Sequence, residues 1–173
     1  MNGDLLTWEQ FEQAAPEIAK NGRELIERFQ FILVGTLTKD GSPRVTPVEA
    51  YIIDGHLLVN MIPRSLKALD LLRDPRIYVH APVTSKEGSP EFKLAGRAEV
   101  LENQELRTKL DDLFWEMIKW RPLPDSHYFE LLGARARPGS RTATRNSGRS
   151  AGVSARPRST WKSPIFDAVR LSA

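Results

Sequence analysis

Residues 31–61, FILVGTLTKDGSPRVTPVEAYIIDGHLLVNM, decide how the chain folds. FILVGTLT is a short apolar strand, Asp40-Gly41 supplies a tight turn, RVTPVEAYII is a second strand ending at Asp54-Gly55, and HLLVNM is a third. Two such turns within about 20 residues predict an antiparallel meander, not alternating β and α units. Pro47 cannot donate to a ladder, so its strand lies at an edge or is bulged there. Glu49 interrupts a run otherwise rich in apolar residues. It is either an outward residue or a buried carboxylate near a ligand, and alternation alone does not decide which.

Upstream, Thr7 and Gln10 have capping-box spacing, and Trp8, Phe11 and Ala15 share a helix side. Pro16 suits the first turn of a second helix running to about Arg28, with Ile18, Leu25 and Ile26 inward and Gly22 weakening its middle. Downstream, Ser65 is a suitable cap for a helix on which Leu66, Leu69 and Leu72 take one face, stopped by Asp74-Pro75. RIYVHAPV, 76–83, and EFKLAGRAEVLE, 91–102, are further strands. Asn103 caps a helix through Trp120 with an apolar stripe of Leu106, Leu110, Leu113, Phe114 and Met117, which assigns its aromatics to packing. HYFELL, 127–132, starts a sixth strand. So many hairpins predict a mainly β fold, an antiparallel sheet closed into a barrel or sandwich, with short flanking helices.

Over 1–132 there are 16 Lys+Arg against 21 Asp+Glu; over 133–173 there are 9 against 1. The net charge of +3 therefore averages an acidic body and a basic tail, and says nothing of a nucleic-acid surface on the body. The division falls at 132: a domain over 1–132 with a helical lead at 7–29, then a low-complexity segment over 133–173. Residues 133–160 can build no core, and acids are absent from them. That vocabulary, and a β pattern stopping in mid-strand, are what GC-rich DNA yields out of frame; the alternative is a disordered tail. Arginine without interleaved aromatics makes nucleic acid an unexpected partner.

No cysteine occurs, which excludes disulfides and thiolate metal sites and suits a reducing compartment. No apolar run approaches membrane length. The chain reads as cytoplasmic and not membrane-bound. His56, His80 and His127 lack metal-ligand spacing, so no metal site is expected. Nucleophile elbow, P-loop and dinucleotide glycine fingerprints are absent. What remains is Arg64, Ser65 and Lys67 at a helix mouth, where a cap hydroxyl and an ammonium could hold an anion; from spacing alone an ordinary Ser cap beside solvated cations is the favoured reading, since such caps are common.

Taken in order, Asp-Gly-x-Pro at 40–43, Val-x-Pro-Val at 45–48, Ser-x-Lys-Ala at 65–68, Asp-Pro-Arg at 74–76 and KLAGRAEVLE at 93–102 resemble the pyridoxamine 5′-phosphate oxidase-like family of FMN-binding split β-barrels. The resemblance implies a homodimer holding FMN in two clefts at the subunit interface and acting as an oxidoreductase on a small molecule. It gives Ser65 and Lys67, helped by Arg64, the cofactor phosphate. It lays Val45, Thr46, Pro47 and Val48 beside the isoalloxazine, with Met61 and Ile62 approaching from the next strand. It assigns no catalytic residue. Oxidases of vitamin B6 in this family carry Arg where this chain has Leu66, another where it has Thr46, and a C-terminal Trp and Arg motif without counterpart here, so vitamin B6 oxidation is not expected. Relatives with this simpler pattern use FMN or a deazaflavin for reductions; a non-catalytic flavin or heme carrier or sensor is the other alternative.

Overall fold

The computed structural model describes residues 5–83 and 91–134. Its elements are β1 (Leu5–Leu6), α1 (Trp8–Ala14), α2 (Pro16–Phe29), β2 (Phe31–Leu37), β3 (Pro43–Ile53), β4 (His56–Met61), α3 (Leu66–Arg73), β5 (Arg76–His80), β6 (Lys93–Val100), α4 (Gln104–Ile118) and β7 (His127–Ala134). The strands run β1-β7-β4-β3-β2-β5-β6, and β6 pairs again with β7. Six strands, β2 to β7, thus close an antiparallel barrel, and the meander is its β2-β3-β4 wall. Closure leaves no long edge except where two strands diverge.

Alternation builds the core. Ile32 and Val34 of β2, Val48 and Ala50 of β3, Val59 and Met61 of β4, Val79 of β5 and Phe129 and Leu131 of β7 fill the barrel. Helices α1 and α2 add Trp8, Ala19, Leu25 and Ile26 to it, Trp8 meeting Phe92 edge-on at 5.7 Å between centroids. Thr7 and Gln10 form the expected reciprocal cap. Gly22, weak for helix formation, is explained by packing: a Cβ there would stand 2.6 Å from the Phe92 ring. At the Asp40-Gly41 turn, Gly41 takes φ +84°, a value L side chains resist.

Four elements depart from the sequence reading: α4 ends at Ile118, short of Trp120, and leaves Met117 of its expected stripe exposed. β1 was not foreseen; two residues carry too little pattern, and it exists by pairing with Gly133 and Ala134. β7 continues to Ala134, two residues past the compositional break at 132, because Gly133 pairs with Gly96. The rest of the basic tail, and its assignment to a shifted frame or to disorder, lies outside the described residues. On α3, Leu66, Leu69 and Leu72 do share a face, but it is the exposed one; Ala68, Leu71 and the carboxylate of Asp70 turn inward. Among the described residues, no helix is long and apolar enough to cross a membrane.

Candidate functional site

β3 changes partners along its length. Residues 50–53 pair with β4, whereas the ladder to β4 stops at the Ala50 and Val59 pair, and residues 43–49 pair with β2 alone. The barrel is split there, with the N-terminal end of α3 beside the opening. Lys67 Nζ donates to the Pro47 carbonyl at 3.2 Å across it. In an antiparallel strand backbone groups alternate between the two sides, so Val45, Pro47 and Glu49 turn theirs into the split while Thr46 and Val48 serve β2. Pro47 thus occupies an edge, where its missing N–H costs nothing.

Ser65 caps α3, its hydroxyl accepting from Ala68 N at 3.3 Å. Arg64 is exposed and held at φ +58°. Burial pushes the Lys67 ammonium below its usual range, and the opposing pull of nearby Glu49 does not cancel this. Lys67 makes no ion pair among the described residues, and Thr46 Oγ1 is buried without a hydrogen-bond partner. An ammonium short of solvent and of a counter-ion, at an unpaired strand edge, is suited to an anion.

α3 is fixed in place by a carboxylate. Asp70, 4% exposed, accepts from Arg44 Nε at 2.7 Å, Thr36 Oγ1 at 3.0 Å and Arg73 Nη2 at 3.1 Å, and Arg73 also donates to the Leu37 carbonyl. Desolvation alone would raise this carboxyl, but the bonds from Arg44, Arg73 and Thr36 outweigh it and the net direction is down. One buried charge therefore joins β2, β3 and α3, one turn from Lys67.

On the outer face of the split strand a depression of about 550 Å³ is lined by Leu33, Leu37, Pro43, Val45, Tyr78 and His80 around Gly35. Its floor follows from register: Val45, Gly35 and Tyr78 form one row across β3, β2 and β5. Gly35 leaves a gap between two side chains that stand out from the sheet, 64% and 51% exposed. At one rim His80 Nδ1 lies 2.5 Å from the Ala81 carbonyl. A carbonyl can only accept, so Nδ1 carries a proton, and in the neutral ring Nε2 is the nitrogen with the free lone pair. Arg76 lines the cavity too but is held by Asp74, whose carboxyl it lowers to about 2.

Of the residues expected from sequence, the structure gathers Val45, Pro47, Ser65 and Lys67 around the split and its outer face. Val48 and Met61 are core side chains, 4% and 1% exposed, and their strands pair them with Ile32 and His127, so neither is turned to the split; Ile62 and Arg64 are exposed at the turn into α3. Sequence reasoning missed Arg44, Asp70, Gly35, Tyr78 and His80. A signal existed for the first two: Arg44 falls on the inward phase of β3, and a charge there requires a partner.

Among solved structures, the chain is similar to the heme storage protein HutZ of Vibrio cholerae (16% identity, 71% of this chain and 92% of that one, TM-score 0.56). It is also similar to a conserved hypothetical protein of Mycobacterium tuberculosis (19%, 68% and 80%, 0.57) and to a heme-binding protein of Mycobacterium smegmatis (22%, 66% and 50%, 0.51). At these identities the likeness is one of fold. No curated protein matches the sequence. The family model described as pyridoxamine 5′-phosphate oxidase matches residues 18–138, a span that takes in α2, the closed barrel, the split and α3. By that match, the chain belongs to the pyridoxamine 5′-phosphate oxidase family.

Proposed function

We propose that the protein is a homodimeric flavin-dependent oxidoreductase that binds FMN, or a deazaflavin in its place, along the free edge of β3. The observation that carries this reading is the Lys67 ammonium drawn onto the Pro47 carbonyl, two residues along β3 from Val45, which lines the apolar depression. The residues suit such a cofactor at both ends. Lys67, with the α3 N–H groups, would take the phosphate. The unpaired backbone of Val45 and Glu49 would meet the polar ring edge, and the Val45, Gly35 and Tyr78 row would receive the ring face. Bound there, the flavin supplies hydride transfer, and the protein's part is to orient it and exclude water. A second copy of the chain would cover the remaining apolar face, which is too exposed for a lone subunit.

Absorption titration of the purified protein with FMN tests the reading. A shifted, structured flavin band, weakened in Lys67→Ala, is expected; an unperturbed band at saturating FMN would reject it. Turnover with NADH or NADPH then separates an oxidoreductase from a carrier.

One observation favours a second reading, heme binding. The His80 tautomer leaves Nε2 open at the rim of an apolar depression, and a backbone carbonyl bond of this kind is the usual support of a metal-ligating histidine. A Soret shift on adding hemin, lost in His80→Ala and unaffected in Lys67→Ala, would support it over flavin.

A further inference from the structure

Glu49 stands on the same outward face of β3 as Pro47 and Val45, is exposed, and makes no ion pair among the described residues. Two residues along a strand span roughly 7 Å, so Glu49 projects from β3 about that far from Pro47, whose carbonyl holds the Lys67 ammonium. An anion received by Lys67 therefore meets the negative charge of Glu49 nearby on the same strand face, in a cleft where Lys67 is already short of solvent. Glu49 makes no ion pair with Lys67, yet its charge favours the protonated ammonium, against the larger effect of burial.

Resting on the flavin reading above, we propose that Glu49 is a specificity-determining residue that penalises charge on the ligand held by Lys67. A phosphate bearing two charges is then held less tightly than the cleft would otherwise allow, and a ligand with a singly charged or neutral end is favoured relative to it. The cofactor phosphate would be an exchangeable contact, with much of the affinity supplied by the ring.

The test compares FMN with riboflavin, which has the same ring and no phosphate, on the full-length protein and Glu49→Gln. The substitution is expected to tighten FMN about five- to tenfold at low salt and leave riboflavin unchanged, with the gain shrinking as ionic strength rises. Equal change for both flavins, or no gain for FMN, would overturn the proposal. If neither flavin binds either protein, the flavin reading fails and inorganic phosphate decides: tighter phosphate in Glu49→Gln, followed by ³¹P line broadening, would sustain the role of Glu49, and equal or absent binding would end it.

Discussion

The two halves of β3 carry the same alternating pattern and meet opposite fates. Tyr51 and Ile53, outward in the half that pairs with β4, are covered by α4 and pack with Leu58, Leu106, Leu110, Phe114 and Tyr128 in a second core. Val45, Pro47 and Glu49, outward in the half that leaves β4, are exposed, with no element over them among the described residues. The second core is latched by Tyr128 Oη donating to Asp111 at 2.8 Å, with Phe114 edge-on to Tyr51 at 5.3 Å. Where the strand is paired and covered it does structural work; where it is unpaired and bare, it offers backbone groups and apolar surface to a ligand or a second subunit. A barrel can keep such an opening because the Asp70 network, and not a β ladder, holds α3 beside it.

The largest effect should come from damaging the covered half. Leu110→Ala, at a fully buried position, is expected to cost about 2–5 kcal/mol of stability in urea unfolding. If the loss were under a few tenths, α4 would not be an integral cover. Next comes the network that holds the split. Asp70→Asn should cost about 3 kcal/mol, less whatever solvent screens at the half-exposed Arg73. Because the folded carboxyl is depressed, its contribution is complete above the ordinary value of 3.8 and is lost as pH falls through the lower folded value. Unfolding measured at pH 6 and pH 3 should therefore show the variant's deficit shrinking in acid; an equal deficit at both would show that charge is not the cause.

Smaller effects sharpen the contrast on the bare half. Lys67→Ala should weaken FMN by about 1.5–3 kcal/mol if a charged hydrogen bond is lost; unchanged affinity would remove the phosphate role. Tyr78→Ala should shift monomer stability by no more than about 0.5 kcal/mol, since the ring is half exposed, yet weaken self-association in sedimentation. A large loss of monomer stability would mean this face is already packed within one subunit.

Much of this was legible in the sequence. Asp40-Gly41 and Asp54-Gly55 announced the hairpins, Thr7, Ser65 and Asn103 the helix starts, and Pro47 the edge, because each acts through chemistry within a few residues. The site was legible only in part. Ser65 and Lys67 stood out by their place at a helix mouth, but Tyr78 reaches the row of Gly35 and Val45, and His80 the row of Leu33 and Pro47, only through register between β2 and β5, which are far apart in the chain. Arg44 and Asp70, 26 positions apart, find each other only once β3 and α3 are docked.

The sequence by itself determined the order of strands, turns and caps, since propensity, turn conformation and capping are local. It also left β2, and β3 in part, apolar on both faces. Which face would be covered was decided only by tertiary structure: α4 has a single stripe and can bury one patch of the barrel, so the other stays bare. The apolar stripe of α3 faces outward for the same kind of reason. Burying Asp70 with Arg44 and Arg73 sets the helix's rotation, and Leu66, Leu69 and Leu72 follow it to the surface.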